Sequence, residues 1–201
     1  APESKQIVYD WMASRYKNYG YKNIFLLDLK GSVRMAVPDG PVHVGPAALQ
    51  SAAEALRAGK IKFTDLHNGA EGDIHIDLLA PIFIREGKTS RPAGTVLLRI
   101  DPNKYLYPLI QSWPTPSLSA ETQLVRREGN SVVFLNELRH KKHTALSLAF
   151  PVDNPHLPAA AAVRGREGIV EGNDYRGVRV LAAIKKVPGT AWLLIAKVDA
   201  E

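Results

Sequence analysis

The amino-acid sequence predicts an α+β fold: a long N-terminal helix followed by two modules, each an antiparallel sheet flanked by helices, the second smaller. Three observations support this prediction. Strand-like apolar runs occur in adjacent pairs joined by tight turns, which is typical of antiparallel hairpins. The elements do not alternate as strand, helix, strand, helix, so a Rossmann-type parallel sheet is not expected. A proline-rich break (WPTPS, residues 113–117) separates two sets of elements.

The segment before this break contains helix and strand signals in a clear order. Glu3 to Tyr19 has apolar side chains at helical spacing, and Gly20 follows it as a stop. The clearest helix is residues 46–59 (PAALQSAAEALRAG), with proline in its first turn and glycine at its end. Pro81 lies inside a predicted strand and indicates a bend or a sheet edge there. The other predicted elements are a hairpin of strands 22–29 and 32–37, strands 61–66, 74–84 and 94–100, and a short helix 102–113.

The segment after the break repeats this plan without repeating its sequence. Glu128-Gly129-Asn130 predicts the turn of a hairpin, and Pro188-Gly189 predicts the turn of a second one. The predicted elements are strands 121–127 and 131–138, a helix 158–165, and strands 168–175, 178–187 and 192–198. We therefore predict three regions: residues 1–21 as the N-terminal helix, 22–116 as a first module and 117–201 as a second module.

Composition and charge exclude several classes of protein. The chain has 201 residues, 45% hydrophobic and 23% charged, which suffices for a buried core. Its net charge of +6 is spread evenly, with +3 in residues 1–113 and +3 in residues 114–201, so no nucleic-acid partner is expected. It has no cysteine, which excludes disulfides, thiolate metal sites and a cysteine nucleophile.

Sequence motifs of catalysis are absent, so we predict that the chain is not an enzyme and holds no cofactor. It lacks G-x-S-x-G, G-x-x-x-x-G-K-[ST], H-E-x-x-H and G-x-G-x-x-G. His140 and His143 have a helical ligand spacing, but the two lysines between them would repel a cation. No metal is predicted there or elsewhere.

Two pairs of polar residues in the first module are candidates for a binding site. Asp65 and His67 stand two apart at the end of one predicted strand, and His75 and Asp77 stand two apart on the next. Residues i and i+2 of a strand share a face, so the four side chains converge if these strands are neighbours. This arrangement predicts a small-molecule pocket. The alternative is a sheet face in contact with water. Asp/His pairs also suit metals, but a third clear ligand is missing.

Two arginines within strands extend this candidate site. Arg34 and Arg99 are suited to binding a carboxylate, because the planar guanidinium donates two parallel hydrogen bonds. The alternative is that each arginine is exposed or paired internally. The predicted ligand-binding residues are Arg34, Asp65, His67, His75, Asp77 and Arg99, and the predicted ligand is a small molecule, an organic anion being the first candidate.

Four segments resemble bacterial double-Cache (tandem PAS-like) extracytoplasmic sensor domains. The run VPGTAWLLIAKVD resembles the closing hairpin of that family, and ETQLVRREGNSVVFLNELRH resembles the opening of its membrane-proximal module. The stretch GREGIVEGNDYRGVRVLAAIKKV resembles the central strands of the same module. NIFLLDLKGSVRMAV resembles the first hairpin of the distal module, with a D-x-x-G-x-V turn at Asp28, Gly31 and Val33.

This resemblance covers nearly the whole chain and implies a function. Such domains are the periplasmic parts of inner-membrane signalling proteins of the histidine kinase or diguanylate cyclase type. The closing hairpin would precede a membrane helix, and the N-terminal helix would continue from another and pair with a second copy in a homodimer. The ligand would lie against the distal sheet, where the six candidate residues are found. The family's amino-acid-binding signature is not found in this sequence.

Three functional hypotheses follow. The first is a ligand-sensing domain that binds a small molecule in the distal module and passes a conformational signal across the membrane. The second is a periplasmic protein-interaction module with no small-molecule pocket. The third, a soluble enzyme or nucleic-acid binder, is disfavoured by the missing motifs and the even charge.

Overall fold

The computed structural model describes residues 2–41, 43–113 and 116–200. Its internal contacts divide the chain into two compact units, Ala1–Lys104 and Tyr105–Glu201, called here the first and second units. Part of the proline-rich break lies outside the described residues. The predicted division into residues 1–21, 22–116 and 117–201 therefore stays a prediction.

The first unit consists of one antiparallel sheet with a helix on each face. In the sheet the strands lie in the order β2-β1-β6-β5-β3, and β4 pairs with β5. The elements are α1 (Pro2–Tyr19), β1 (Asn23–Leu27), β2 (Val33–Val37), α2 (Pro46–Ala58), β3 (Lys62–Phe63), β4 (His67–Asn68), β5 (Ile74–Glu86) and β6 (Thr89–Ile100).

The two faces of this sheet have separate cores because side chains alternate along each strand. One face packs on α2, whose buried Ala48, Ala52 and Ala55 allow the helix to approach closely. The buried strand residues of that core are Phe25, Leu27, Ala36, Leu79 and Leu97. The other face packs on α1 through Met12, Ile24 and Val37. The candidate site lies on the α2 face.

The end signals of α2 act as the sequence predicts. Pro46 is the first helical residue, where its missing N–H costs no hydrogen bond. Gly59 adopts the left-handed conformation, with φ of 62°, and its N–H donates to the carbonyl of Ala55.

Pro81 lies at a point where β5 has a partner on one side. It pairs with Thr95 of β6, while β3 pairs only with Leu78 and Leu79. The missing N–H is tolerated at such a partly unpaired position. The pairing with β6 shifts in register just beyond Pro81, between Ile82 and Phe83.

The second unit is also an antiparallel sheet, with strand order β10-β11-β12-β7-β8-β9. Its core joins the sheet to α4 through residues such as Phe134, Leu157, Ala160 and Ile195. The elements are α3 (Leu106–Gln111), β7 (Glu121–Glu128), β8 (Ser131–Phe134), β9 (Ala149–Pro151), α4 (Pro158–Val163), β10 (Gly168–Asn173), β11 (Arg179–Lys186) and β12 (Leu193–Asp199).

The predicted α+β class is confirmed, with two antiparallel sheets and an N-terminal helix. Among the described residues, none of the helices combines the length and the apolar character that a membrane span requires.

Candidate functional site

A cluster of four polar side chains lies on the α2 face of the first sheet, and strand register brings it together. Asp77 of β5 is the cross-strand partner of Arg99 on β6. His75, two residues before Asp77, is the partner of His67 on β4. We call His67, His75, Asp77 and Arg99 the polar cluster.

Asp77 and Arg99 form a buried bidentate ion pair. The Asp77 side chain is 0% exposed, and its two oxygens accept from Arg99 Nε at 2.9 Å and Arg99 Nη2 at 3.1 Å. Arg99 Nη1 donates to the backbone carbonyl of His43 at 3.1 Å, and its guanidinium lies 5.3 Å from the ring centre of Phe25. A buried charge of this kind requires its partner, because removing one side leaves the other without compensation.

The two histidines lie edge to face, with ring centres 4.3 Å apart. His75 is 1% exposed, and its Nδ1 lies 2.8 Å from the Asp73 carboxylate. Burial lowers the pKa of His75 below its ordinary value, although the Asp77 carboxylate opposes this shift. His67 is partly exposed, and its Nδ1 lies 2.9 Å from the backbone carbonyl of Asp65.

The structure brings together four of the six predicted residues. The water-exposed alternative is wrong for His75 and Asp77, because both are buried on the same strand face as Leu79. The Asp65 side chain is exposed and accepts from the Leu66 N–H at 2.7 Å, and the Asp65 backbone carbonyl contacts His67 Nδ1.

Arg34 lies away from the polar cluster. It is next to Val33, which pairs with Leu27 at one end of β1, whereas Arg99 pairs with Asn23 at the other end. Its side chain is 69% exposed and forms an ion pair with Asp28 at 2.9 Å. The exposed and paired alternative therefore describes Arg34.

Asp73 and Lys22 complete the site, and the sequence analysis missed both. Asp73 Oδ2 accepts from Lys22 Nζ at 2.8 Å as well as contacting His75. Asp73, His75 and Asp77 stand at i, i+2 and i+4. The same alternation that places His75 and Asp77 on one face therefore places Asp73 there as well. Gly69 permits this packing: a side chain there would bring its Cβ to 2.7 Å from His75 Cε1 and into Asp73 Oδ1.

A cavity of about 280 Å³ borders this site and is called here the Arg99 cavity. Its volume is near the lower end for ligand pockets and suits a small metabolite. Both cations, Lys22 and Arg99, face it beside the carboxylate of Asp73. The lining residues are Lys22, Asn23, Phe25, Pro38, Pro41, His43, Ala70, Glu71, Asp73 and Arg99.

Asp73 is expected to make stability depend on acid pH. Partial burial would raise the pKa of Asp73, but hydrogen bonds from Lys22 and His75 outweigh it and lower the pKa to about 2. The folded pKa is below the unfolded one, so the stabilisation is complete above about pH 4 and is lost as pH falls through about 2. It amounts to about 2 kcal/mol.

Urea unfolding of the wild type and of Asp73→Asn at about pH 6 and about pH 2 measures this contribution. The free-energy gap between the two proteins should shrink at the lower pH. Asp10→Asn, a change at an exposed carboxylate of α1, is the matched control and should show no such gap. A gap that is equal at both pH values would contradict the prediction.

The second unit contains a different buried ion network, which the sequence analysis did not identify. Lys197 is 1% exposed and lies 2.8 Å from Asp174 Oδ2 and 3.2 Å from Glu121 Oε2. The Tyr175 hydroxyl donates to Glu121 at 3.0 Å, and burial together with the Glu121 charge raises the pKa of Tyr175. Arg176 pairs with Asp174 as well.

Two larger cavities lie in the second unit, of about 630 and 600 Å³. The first is an open depression beside Arg164 and Arg166, and the second borders Glu121, Glu137 and Arg139. We place the candidate site at the Arg99 cavity because it is lined by Arg99, one of the predicted ligand-binding residues, whose guanidinium is held by a fully buried carboxylate.

No protein-family model matches the chain, and no curated protein matches it in sequence. Solved structures do match its fold. The ligand-binding domain of Mlp24 with asparagine has a TM-score of 0.63 at 16% identity, covering 98% of this chain and 76% of that one. The ligand-binding domain of the Pseudomonas aeruginosa PAO1 amino acid chemoreceptor PctB with L-Arg has a TM-score of 0.61 at 17% identity, covering 99% and 79%.

A third solved structure is the ligand-binding domain of the Pseudomonas fluorescens chemoreceptor CtaA with L-serine. Its TM-score is 0.61 at 15% identity, and the match covers 96% of this chain and 78% of that one. These neighbours are chemoreceptor ligand-binding domains of the Cache type. The chain therefore has the fold of a bacterial Cache-type extracytoplasmic sensor domain.

Proposed function

We propose that the chain is the ligand-sensing domain of a transmembrane signalling protein and binds a small carboxylate-containing molecule in the Arg99 cavity. The observation that carries this proposal is the cavity itself, with Lys22 and Arg99 on its wall. The fold supports it, because the matched structures are ligand-binding domains whose ligands include asparagine, L-Arg and L-serine. Binding would favour one conformation of the first unit and so alter the attached signalling protein.

Arg99 is suited to recognise the ligand because its orientation is already fixed. Within the described residues, its contacts to Asp77 and to the His43 carbonyl use three of the five N–H donors of a guanidinium. The other two N–H groups are available to a carboxylate. Lys22 is more exposed and adds a second positive charge, while Asp73 provides an acceptor for an ammonium group. This combination favours a zwitterion or a small organic anion.

A thermal-shift screen of amino acids and other carboxylates, in buffer with EDTA, tests the proposal. A ligand at one hundred times its dissociation constant stabilises the fold by about 2.7 kcal/mol. Lys22→Ala should abolish the shift, because it removes a cation from the cavity wall. Arg34→Ala is the matched control, since Arg34 lies at the other end of the sheet, and should retain the shift. A shift that survives Lys22→Ala would place the ligand elsewhere.

A screen without any hit would favour the second function, a periplasmic protein-interaction module.

Three further features of the protein stay predictions. They are an extracytoplasmic location in an inner-membrane protein, no catalytic activity in this chain, and a homodimer formed through α1. That helix exposes Ile7 and Trp11, four residues apart on one face, which is the pattern expected of a helix that pairs with another.

A further inference from the structure

The hydrogen bonds of the two histidines fix the positions of their protons. A backbone carbonyl can only accept, so the contact between His67 Nδ1 and the Asp65 carbonyl places a proton on that nitrogen. The carboxylate of Asp73 places a proton on His75 Nδ1 in the same way. In each neutral imidazole the other nitrogen, Nε2, then carries a lone pair.

Both Nε2 atoms lie near the same carboxylate oxygen. Asp77 Oδ2 lies 3.6 Å from His75 Nε2 and 3.9 Å from His67 Nε2, which is too long for a hydrogen bond. One ligand atom from each of these residues lies within 4.8 Å of the others. Three electron-pair donors thus converge on one point, which is the arrangement that binds a cation.

We propose that His67 Nε2, His75 Nε2 and Asp77 Oδ2 bind a divalent transition metal ion, with Zn²⁺ as the best fit. Nitrogen and oxygen ligands at about 2.0–2.2 Å in a tetrahedron lie about 3.3 Å apart. The separations from Asp77 Oδ2, 3.6 and 3.9 Å, need only a small contraction, and the ligand atoms of all three residues lie within 4.8 Å of one another. The sequence alone shows no clear third ligand, so no metal is predicted from it, and the pairing of β4 with β5 brings that ligand into place.

The groups around the three ligands fit a metal centre. Histidine ligands of metals usually donate their second N–H to a carboxylate or a backbone carbonyl, and here Asp73 and the Asp65 carbonyl accept those bonds. Arg99 shares Asp77 with the metal, but its shorter bond is to Oδ1, and an oxygen has two lone pairs. Partial exposure of His67 gives an entry path and a position open to a further ligand.

This site shares Asp73 and Asp77 with the surroundings of the Arg99 cavity, so its test uses the metal alone. Protein freed of metal with EDTA is titrated with zinc by calorimetry, and cobalt is used as an optical probe of tetrahedral coordination. We expect one equivalent to bind. His67→Ala, at a partly exposed position that tolerates the change, should weaken binding by about 100-fold or more, and Asp73→Asn by about 10–100-fold.

His156→Ala is the matched control, because His156 is an exposed histidine in the second unit, and it should bind as the wild type does. Loss of the cobalt spectrum in His67→Ala, with the spectrum retained in His156→Ala, would support the site. Either the absence of saturable binding in the wild type or equal affinity in the wild type and His67→Ala would overturn it.

Discussion

Replacing Lys197 with alanine is expected to destabilise the second unit by about 3–5 kcal/mol. The ammonium group is 1% exposed and lies between the carboxylates of Asp174 and Glu121, which are themselves 2% and 3% exposed. Its removal leaves two buried negative charges near each other. Asp174 keeps an ion pair with Arg176, which is shared with Asp199, whereas Glu121 loses the ammonium group. A loss of this size is a large fraction of the stability of a domain.

Denaturant unfolding combined with hydrogen exchange measures this effect and assigns it to the second unit. Lys185→Ala is the matched control, because Lys185 lies on the neighbouring strand β11 with an exposed side chain. That variant should change stability by less than about 0.5 kcal/mol. A loss below about 1 kcal/mol for Lys197→Ala would show that the carboxylates take up protons or find other partners.

The position of Lys197 illustrates why sequence patterns identified the strands and missed the network. Residues 192–198 were predicted as a strand because of their apolar run, and β12 confirms it. Lys197 stands at the same parity as Ile195, so alternation places it on the buried face. The burial of Lys197 can therefore be predicted from the sequence. The partners were not visible, because Asp174 and Glu121 are 23 and 76 residues away in sequence and only the folded sheet brings them near.

The lengths of the strands depended on pairing that no local pattern reveals. Residues 61–66 were predicted as a strand, but only Lys62–Phe63 pairs. Strand β6 begins at Thr89, earlier than predicted, because residues 89–92 pair with the end of β5. Pro92 is tolerated in that part of the strand because β1 pairs only with Thr95–Arg99. In the second unit the predicted strand 131–138 ends at Phe134, and the Asn136 side chain accepts from Leu124 N–H at 2.7 Å where a backbone partner was expected.

In the candidate site, too, alternation predicts which residues share a strand face, whereas only strand pairing determines which residues of different strands are neighbours. Alternation places His75 and Asp77 on one face, and strand pairing brings them next to His67 and Arg99. Alternation alone does not show which face is buried. His75 and Asp77 share a face with Leu79, and two polar residues on a face are equally compatible with exposure to water. Asp77 and Arg99 are both predicted to contact a ligand. Because they are buried together, they form an internal ion pair, which holds Arg99 at the wall of the Arg99 cavity.

Replacing Arg99 with methionine is expected to destabilise the first unit by about 3–5 kcal/mol and to abolish ligand binding. The Asp77 carboxylate is fully buried, and the backbone N–H that Asp77 donates to Thr64 Oγ1 does not compensate its charge. Methionine keeps much of the volume beside Phe25, so the loss reports on charge and hydrogen bonds more than on packing. Arg91→Met, at an exposed position of the same strand, is the matched control and should change little.

A double variant separates the cost of an unpaired charge from the worth of the pair. In Asp77→Leu/Arg99→Met both charges are gone, and apolar residues adjoin the core of Leu79 and Leu97. Buried ion pairs replaced in this way are often neutral in stability, so the double variant should be more stable than Arg99→Met alone. Losses that simply add would show that the two side chains act independently. Restored stability without restored ligand binding would show that Arg99 is needed for binding and that the ion pair is not needed for stability.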